Sequence, residues 1–170
     1  MILKNKNDIM LLEVLKMNEE FNTFDKVQSI FTSKVPNEKW QSFLFMYKNI
    51  AAETGYIGGM SRRYEGIIIG LGSSGGIAFL KLMKTKVFSK MDIKNMIIIK
   101  DDNLNFGYWP KEYIDKVEIK HPPLNKKVLI VHIRFTTNEY HDLTVRLNNI
   151  DLPYQEDGIN EFLNRYGKER

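Results

Sequence analysis

The feature that most constrains the fold of this chain is residues 95–120, which contain three short strand patterns. An apolar, β-branched run at 96–99 is followed at once by aspartate and asparagine residues, which favour a turn. Residues 104–109 form a second predicted strand, which Pro110 ends because proline has no N–H to donate. In residues 114–120 apolar and charged side chains alternate, the period of a strand with one solvated face. Three strands on such short connections predict an antiparallel meander.

The segments on either side extend the β pattern. Residues 63–71 predict a strand, whereas residues 76–94 leave strand and helix open. Beyond a proline-rich loop at 121–125, residues 127–136 alternate in the manner of a half-buried strand. Residues 140–147 return as its partner after a turn at 137–139. The side chains predicted to face inward are Leu129, Val131, Ile133 and Phe135 on the first of these strands and Leu143, Val145 and Leu147 on the second.

The last periodic segment is an amphipathic helix at 155–166, with Gly167 as its C-terminal cap. A sheet of about seven strands curls, and a helix with one apolar face can close its open end. The sequence therefore predicts an α+β fold in which a curled antiparallel sheet is closed by a C-terminal helix.

The N-terminal third predicts a lobe of about three helices. Residues 8–22 have helical spacing, and Thr23 can cap a second helix in which Phe24, Val27, Ile30 and Phe31 repeat on one face. Pro36 is predicted to open a third helix. Its apolar stripe would consist of Trp40, Phe43, Leu44, Tyr47, Ile50 and Ala51. With two adjacent glycines at 58–59 as a linker, the predicted domains are a helical lobe at 1–57 and a β domain at 62–170.

Positive charge is concentrated in one part of the chain. The formal net charge is +4, and residues 61–100 alone carry eight basic against two acidic side chains. Such a cluster can contact an anionic partner, although a solvated face of a sheet has the same composition. The predicted contacts are Arg62, Arg63, Lys81, Lys84, Lys86 and Lys90. The acidic final third argues against a nucleic-acid partner.

The sequence offers few residues suited to catalysis. There is no cysteine, which excludes disulfides, thiolate metal sites and thiol catalysis. Residues 70–75 match G-x-G-x-x-G, with Asp92 downstream, so a nucleotide-binding loop is one interpretation and a glycine-rich hairpin turn is the other. His132, His141 and Glu139 could approach across a hairpin, but they lack a metal-ligand spacing. We therefore predict no cofactor, no metal and no enzymatic activity.

No segment is predicted to span a membrane or to direct secretion. The uncharged run at 66–80 is shorter than the roughly 20 residues that a spanning helix needs, and glycines and serines interrupt it. The N-terminal apolar stretch is too short for a signal peptide. We expect a cytoplasmic protein, with peripheral contact at the membrane as an alternative.

Four segments together resemble the pattern of bacterial pleckstrin-homology-like (GRAM-like) domains. They are R-Y-E-G at 63–66 leading into a strand, M-I-I-I at 96–99, W-P at 109–110 and I-D-K-V-E-I at 114–119. The resemblance covers about residues 63–167 and implies a split or partly open β-barrel used as a binding scaffold. Lipid headgroups, peptides or other proteins would be its ligands.

These observations favour a non-enzymatic binding module that contacts a protein partner or an anionic membrane surface. Two alternatives remain at the level of sequence. One is a nucleotide-binding enzyme that uses the loop from Gly70 to Gly75. The other is a small phage, immunity or inhibitor protein that acts by surface complementarity.

Overall fold

A computed structural model describes residues 21–49, 64–84, 96–98, 105–147 and 152–167 of the protein. Residues 8–20 of the helix predicted at 8–22 and the linker predicted at 58–59 lie outside these ranges. The boundary predicted between residues 57 and 62 lies outside them as well.

The described residues form an α+β structure of two α-helices and eight strands. A short 3₁₀ turn at Lys111–Tyr113 separates β5 from β6. In chain order the elements are α1 (Phe24–Lys34), β1 (Trp40–Asn49), β2 (Tyr64–Gly72), β3 (Ile77–Lys84), β4 (Met96–Ile98), β5 (Phe106–Trp109), β6 (Ile114–Lys120), β7 (Val128–Phe135), β8 (Tyr140–Arg146) and α2 (Gln155–Tyr166). The segment that the sequence left open at 76–94 thus begins as a strand.

The strands form one antiparallel sheet in the order β4-β3-β2-β1-β8-β7-β6, with β5 also paired to β3. The β1–β2–β3 and β6–β7–β8 meanders are joined through β1 and β8. These two strands pair only where Tyr47 lies opposite Thr144 and Lys48 opposite Leu143. The sheet is curled, as the sequence predicts, and it is not closed into a barrel.

The prediction of one meander across residues 95–120 is wrong, although its three strands are present. β4 pairs with Leu82–Lys84 of β3, and β5 pairs antiparallel with Ile77–Leu80 of the same strand. β4 and β5 therefore run in the same direction along one edge of β3, so the chain does not reverse between them. β6 leaves this edge and pairs with β7. Short connections suggested local pairing, but the longer edge of β3 accommodates both strands.

The prediction of a third helix is also wrong, because Trp40, Phe43, Leu44 and Tyr47 of its apolar stripe lie in β1. Ile50 and Ala51 lie outside the described residues. Phe43, Phe45 and Tyr47 point to one face of the sheet, and Leu44 and Met46 point to the other. Both faces are covered, so the strand shows no polar alternation. Residues 40–49 thus belong to the same sheet as β2–β8, rather than to a helix.

The outer face of the sheet is covered by α1. Thr23 caps this helix as predicted, with its side chain accepting from the N–H of Lys26 at 3.4 Å. Val27 and Phe31 are fully buried, and the ring of Phe31 lies 4.9 Å from that of Phe43. We call this buried layer the outer core.

The concave face of the sheet is filled by α2, which confirms the predicted amphipathic C-terminal helix. Ile159 and Phe162 pack against the inward side chains of β7 and β8 to form the inner core. Six of the seven side chains predicted to face inward on these strands are buried. Leu147 is the exception: β8 ends at Arg146, and Leu147 is 39% exposed.

The N-terminal end of α2 lies at the split between β1 and β8. The side-chain oxygen of Gln155 accepts from the N–H of Phe45 at 2.7 Å, and its amide nitrogen donates to the Phe45 carbonyl at 3.0 Å. A Cβ atom at Gly158 would lie 1.9 Å from the carbonyl oxygen of Phe43. The helix thus approaches the β1 backbone directly and supplies hydrogen bonds that a neighbouring strand would otherwise make.

Candidate functional site

A cleft of about 550 Å³ opens between the β2–β3 turn, the start of β6 and the end of α2. Its walls mix hydroxyl, charged and apolar side chains. The residues that line it are Gln41, Ser73, Ser74, Gly75, Lys111, Ile114, Asp115, Lys116, Val117, Arg165 and Tyr166. The glycine loop noted in the sequence therefore borders a cavity large enough for a ligand.

The glycine loop itself is the tight turn of the β2–β3 hairpin. Its backbone N–H groups are bonded within the protein: Ser73 N–H to the Lys39 carbonyl at 2.8 Å and Gly75 N–H to the Gly72 carbonyl at 3.1 Å. Gly75 has φ +91°, a conformation that other residues rarely adopt. The next element is strand β3, so no helix N-terminus faces the loop to receive a phosphate. This geometry favours the hairpin interpretation over the nucleotide interpretation.

A buried carboxylate holds this turn in place. Glu38, which is 7% exposed, accepts hydrogen bonds from the Ser74 hydroxyl, from the Ser74 N–H at 3.1 Å and from the Tyr108 hydroxyl at 2.6 Å. A Cβ atom at position 72 would lie 2.4 Å from the Glu38 side chain, so glycine permits this approach. The Glu38 carboxylate thus already accepts the hydrogen bond from the Ser74 N–H, which a bound anion would need.

The surroundings of Glu38 shift two pKa values in opposite directions. Burial raises the pKa of Glu38, but the hydrogen bonds from Ser74 and Tyr108 outweigh it and leave the pKa below its ordinary value. Burial, together with the hydrogen bond to Glu38, raises the pKa of the Tyr108 hydroxyl. Glu38 is therefore a charged anchor of the turn. Sequence analysis missed it because an isolated glutamate after Asn37 gives no pattern.

Most charges around the cleft are already paired. Lys116 lies 2.6 Å from Glu118, Arg165 contacts Glu161, and Asp115 contacts Arg134. Arg165 also donates to the Gly72 carbonyl at 2.8 Å, which ties the end of α2 to the β2–β3 hairpin. Lys111 has no ion-pair partner within the described ranges, and its stem lies against Gly75. It is therefore the cleft cation best placed to meet a ligand.

The wall opposite the turn is a strand edge with apolar side chains beside it. Among the described residues β6 pairs only with β7, which places it at the end of the sheet. Val117 is buried, Ile114 is half-buried, and the ring of Tyr166 packs 5.0 Å from that of Phe162. Burial raises the pKa of the Tyr166 hydroxyl. The cleft thus combines an available backbone edge with an apolar floor.

The predicted anionic-partner contacts lie mostly outside the described ranges. Arg62, Arg63, Lys86 and Lys90 are not among the described residues. Lys81 is half-buried in β3 opposite Ile67, and Lys84 ends the same strand. Neither Lys81 nor Lys84 is among the residues that line the cleft, so this set stays a prediction.

The histidines do not form a shared site. His132 lies opposite Asp142, contacts its carboxylate and is on the outer face of β7. His141 lies opposite the next residue, Ile133, and its ring packs 5.2 Å from Phe79 on the inner face. Adjacent register positions point to opposite faces of a sheet. In the part of the chain that is described, no three His, Asp or Glu residues are grouped to hold a metal ion.

Comparisons with protein families, curated proteins and solved structures find no match to this chain. No helix within the described ranges is long and apolar enough to cross a bilayer.

Proposed function

We propose that the protein is a non-enzymatic binding module that takes an extended segment of a protein partner in the cleft between β6 and the end of α2. One observation carries the proposal: β6 pairs only with β7 among the described residues and also forms a wall of the cleft of about 550 Å³. The unpaired edge of a strand offers N–H and C=O groups to an added strand. The cavity beside it can receive every second side chain of that strand.

The side chains of the cleft suit a polypeptide. Ser73 offers an exposed hydroxyl, Lys111 offers a positive charge, and Ile114 and Tyr166 offer apolar surface. Specific polypeptide interfaces combine such an apolar centre with a polar rim. The charged pair of Lys116 and Glu118 on β6 disfavours indiscriminate pairing at this edge.

The sequence suggests two partners for a binding module, a protein or an anionic membrane surface. We propose the protein for a structural reason. The cations expected to contact an anionic surface are largely outside the described ranges, whereas β6, the β2–β3 turn and the end of α2 beside the cleft are all described. The curled sheet with a closing helix also supports a scaffold of the kind that the pleckstrin-homology-like resemblance implies. The nucleotide alternative loses support because the Glu38 carboxylate occupies the Ser74 N–H of the loop.

Selection from a displayed library of random peptides would test the proposal with the full chain as bait. We expect enriched peptides that bind the natural sequence and lose at least tenfold in affinity against Ser73→Trp, which fills the cleft from an exposed position. The matched control is Ser33→Trp, an exposed serine on α1. Lys111→Glu should select different peptides, and its control Lys34→Glu should not.

Hydrogen exchange would locate the bound peptide. Strand addition should slow exchange at backbone amides of β6 and of the last turn of α2, and leave α1 unchanged. The proposal is wrong if no peptide is enriched, if Ser73→Trp binds the peptides as the natural sequence does, or if the slowed amides lie elsewhere.

A further inference from the structure

The loop between β6 and β7 carries a fully exposed leucine at its centre. Leu124 is 101% exposed, the highest value among the exposed large apolar residues of the described ranges. Its loop is held by hydrogen bonds from Asn125 N–H to the Pro122 carbonyl at 3.2 Å and from Lys127 N–H to the Asn125 side chain at 3.1 Å. Two prolines precede Leu124 and restrict the backbone further. The leucine therefore projects from a shaped turn.

Basic residues and a second leucine surround this loop. Leu147, 39% exposed, donates its N–H to the Lys127 carbonyl at 2.9 Å, and Arg146 lies opposite Val128. Residues 119–138 contain no acidic side chain. We call the following set the basic tip: Lys120, Leu124, Lys126, Lys127, Arg146 and Leu147.

The positive charge of the basic tip is largely uncompensated. Lys120 lies 3.4 Å from Glu118, and the other three cations of the tip have no ion-pair partner within the described ranges. The four are all exposed. Exposed leucines next to exposed cations match a surface that is anionic at its boundary and apolar just below it.

We propose that the basic tip contacts an anionic lipid bilayer, with Leu124 inserted beneath the headgroups. A nucleic acid would satisfy the cations but would offer no apolar medium to a leucine at the apex of a turn, and a protein partner would need an apolar pocket matched to that one side chain. An anionic bilayer offers negative headgroups to the cations and an apolar interior to the leucine. The basic tip includes none of the cations that the sequence singled out, so the loop is a separate membrane-contact surface.

This inference goes beyond the proposed peptide-binding function. Ile114, at one end of β6, lines the cleft, and Lys120, at the other end, belongs to the basic tip. A strand of this length spans about 20 Å at 3.3 Å per residue. A segment held in the cleft would therefore lie close to a membrane contacted by the tip.

Sedimentation with vesicles of phosphatidylcholine containing phosphatidylserine tests the proposal with the full chain. We expect binding that weakens with salt and with decreasing phosphatidylserine. Each cation near an anionic surface contributes about fivefold in affinity, so Lys126→Gln with Lys127→Gln should reduce binding about 25-fold. Lys34→Gln with Lys39→Gln removes equal charge from exposed positions elsewhere and should change binding by less than about twofold.

Insertion is tested at Leu124 itself, where a fully exposed side chain can be changed without affecting the core. Leu124→Ser should weaken vesicle binding severalfold at unchanged charge. Leu124→Trp should bind at least as well, and its tryptophan emission should shift to the blue only when phosphatidylserine vesicles are added.

Four results would overturn the proposal. They are absence of binding at low salt, loss of binding in the charge control equal to that at the tip, binding unchanged by Leu124→Ser, and displacement from vesicles by soluble glycerophosphoserine. The last would show a headgroup pocket instead of a bilayer contact. Loss of peptide binding in Ser73→Trp leaves these readouts unaffected, so the two proposals fail separately.

Discussion

Glu38 joins three parts of the chain at one carboxylate: the segment before β1, the β2–β3 turn through Ser74, and β5 through Tyr108. Hydrogen bonds to an ionised, nearly buried group are stronger than those between neutral groups. Removing the charge weakens all of these hydrogen bonds at once, and the Tyr108 hydroxyl is only partly exposed to water that could replace the acceptor. A single residue therefore controls how the β2–β3 turn borders the cleft.

Replacing Glu38 by glutamine should destabilise the protein by about 1–3 kcal/mol at pH 7, because the Ser74 and Tyr108 donors lose a charged acceptor. Urea unfolding measures the change. Glu156→Gln, at an exposed position on α2, is the control and should alter stability by less than about 0.5 kcal/mol. Equal stability of Glu38→Gln and the natural sequence would show that the carboxylate is dispensable.

The same residue predicts a pH dependence. The pKa of Glu38 in the folded state lies below the ordinary glutamate value of 4.5, so its stabilising contribution is complete above that value. It is lost as the pH falls through the folded-state pKa. The stability difference between the natural sequence and Glu38→Gln should thus shrink below about pH 4.5. Urea titrations at a series of pH values would contradict this if the difference stayed constant.

Asn138 adopts φ 65° in the β7–β8 turn, where most side chains are strained. Asn138→Gly should leave stability unchanged or raise it slightly, whereas Asn138→Val should lower it by about 1–2 kcal/mol. Thermal unfolding of the two variants decides the point. Similar melting temperatures for both would rule out strain at this position.

At the scale of elements, the position of α2 depends on its close approach to β1. Gly158 faces the Phe43 carbonyl where a Cβ atom has no space, directly before Ile159 and four residues before Phe162, which pack in the inner core. Glycine lowers the helix propensity of this segment, yet it permits the contact that places the helix. Local preference and tertiary packing therefore oppose each other at this residue.

Gly158→Ala should destabilise the protein by about 1–3 kcal/mol because the helix must move away from β1. In an unconstrained helix the same change would stabilise by up to about 1 kcal/mol. Asn160→Ala, exposed on the same helix, is the control and should be neutral or slightly stabilising. Chemical denaturation of both variants compares them, and a stabilised Gly158→Ala would contradict the close approach.

At the scale of the whole molecule, the sheet is held together where β1 and β8 separate. The amide of Gln155 bonds to both backbone groups of Phe45, and the indole of Trp109 stacks on Phe135 at 4.7 Å to join the ends of β5 and β7. These contacts link the β1–β2–β3 half of the sheet to the β6–β7–β8 half. The curvature that forms the cleft depends on both.

Gln155→Leu should destabilise the protein by about 2–4 kcal/mol, because the N–H and C=O of Phe45 both lose their partner in a buried position. Native-state hydrogen exchange of this variant should show that exchange at the Phe45 amide is accelerated more, relative to the natural sequence, than exchange at amides in α1. Unchanged protection at Phe45 would mean that another group replaces the glutamine.

The candidate site was predicted less completely than the elements around it. Thr23 as a cap, the inward residues of β7 and the amphipathic face of α2 follow from local chemistry, and the structure has all three. The sequence of the glycine loop fits both a hairpin turn and a nucleotide-binding loop. The cleft itself combines residues from β6 with Ser73 and Arg165, which are distant in sequence, and no spacing rule connects them.

The sequence by itself determined where most strands and the described helices begin and end, because caps, turns and period-2 alternation act over a few residues. Tertiary structure alone decided that residues 40–49 form a strand, since burial on both faces removes the alternation that identifies strands. It also decided that β4 and β5 share the edge of β3 while β6 pairs with β7. Strand pairing depends on contacts between segments that are distant in sequence, and no local pattern predicts it.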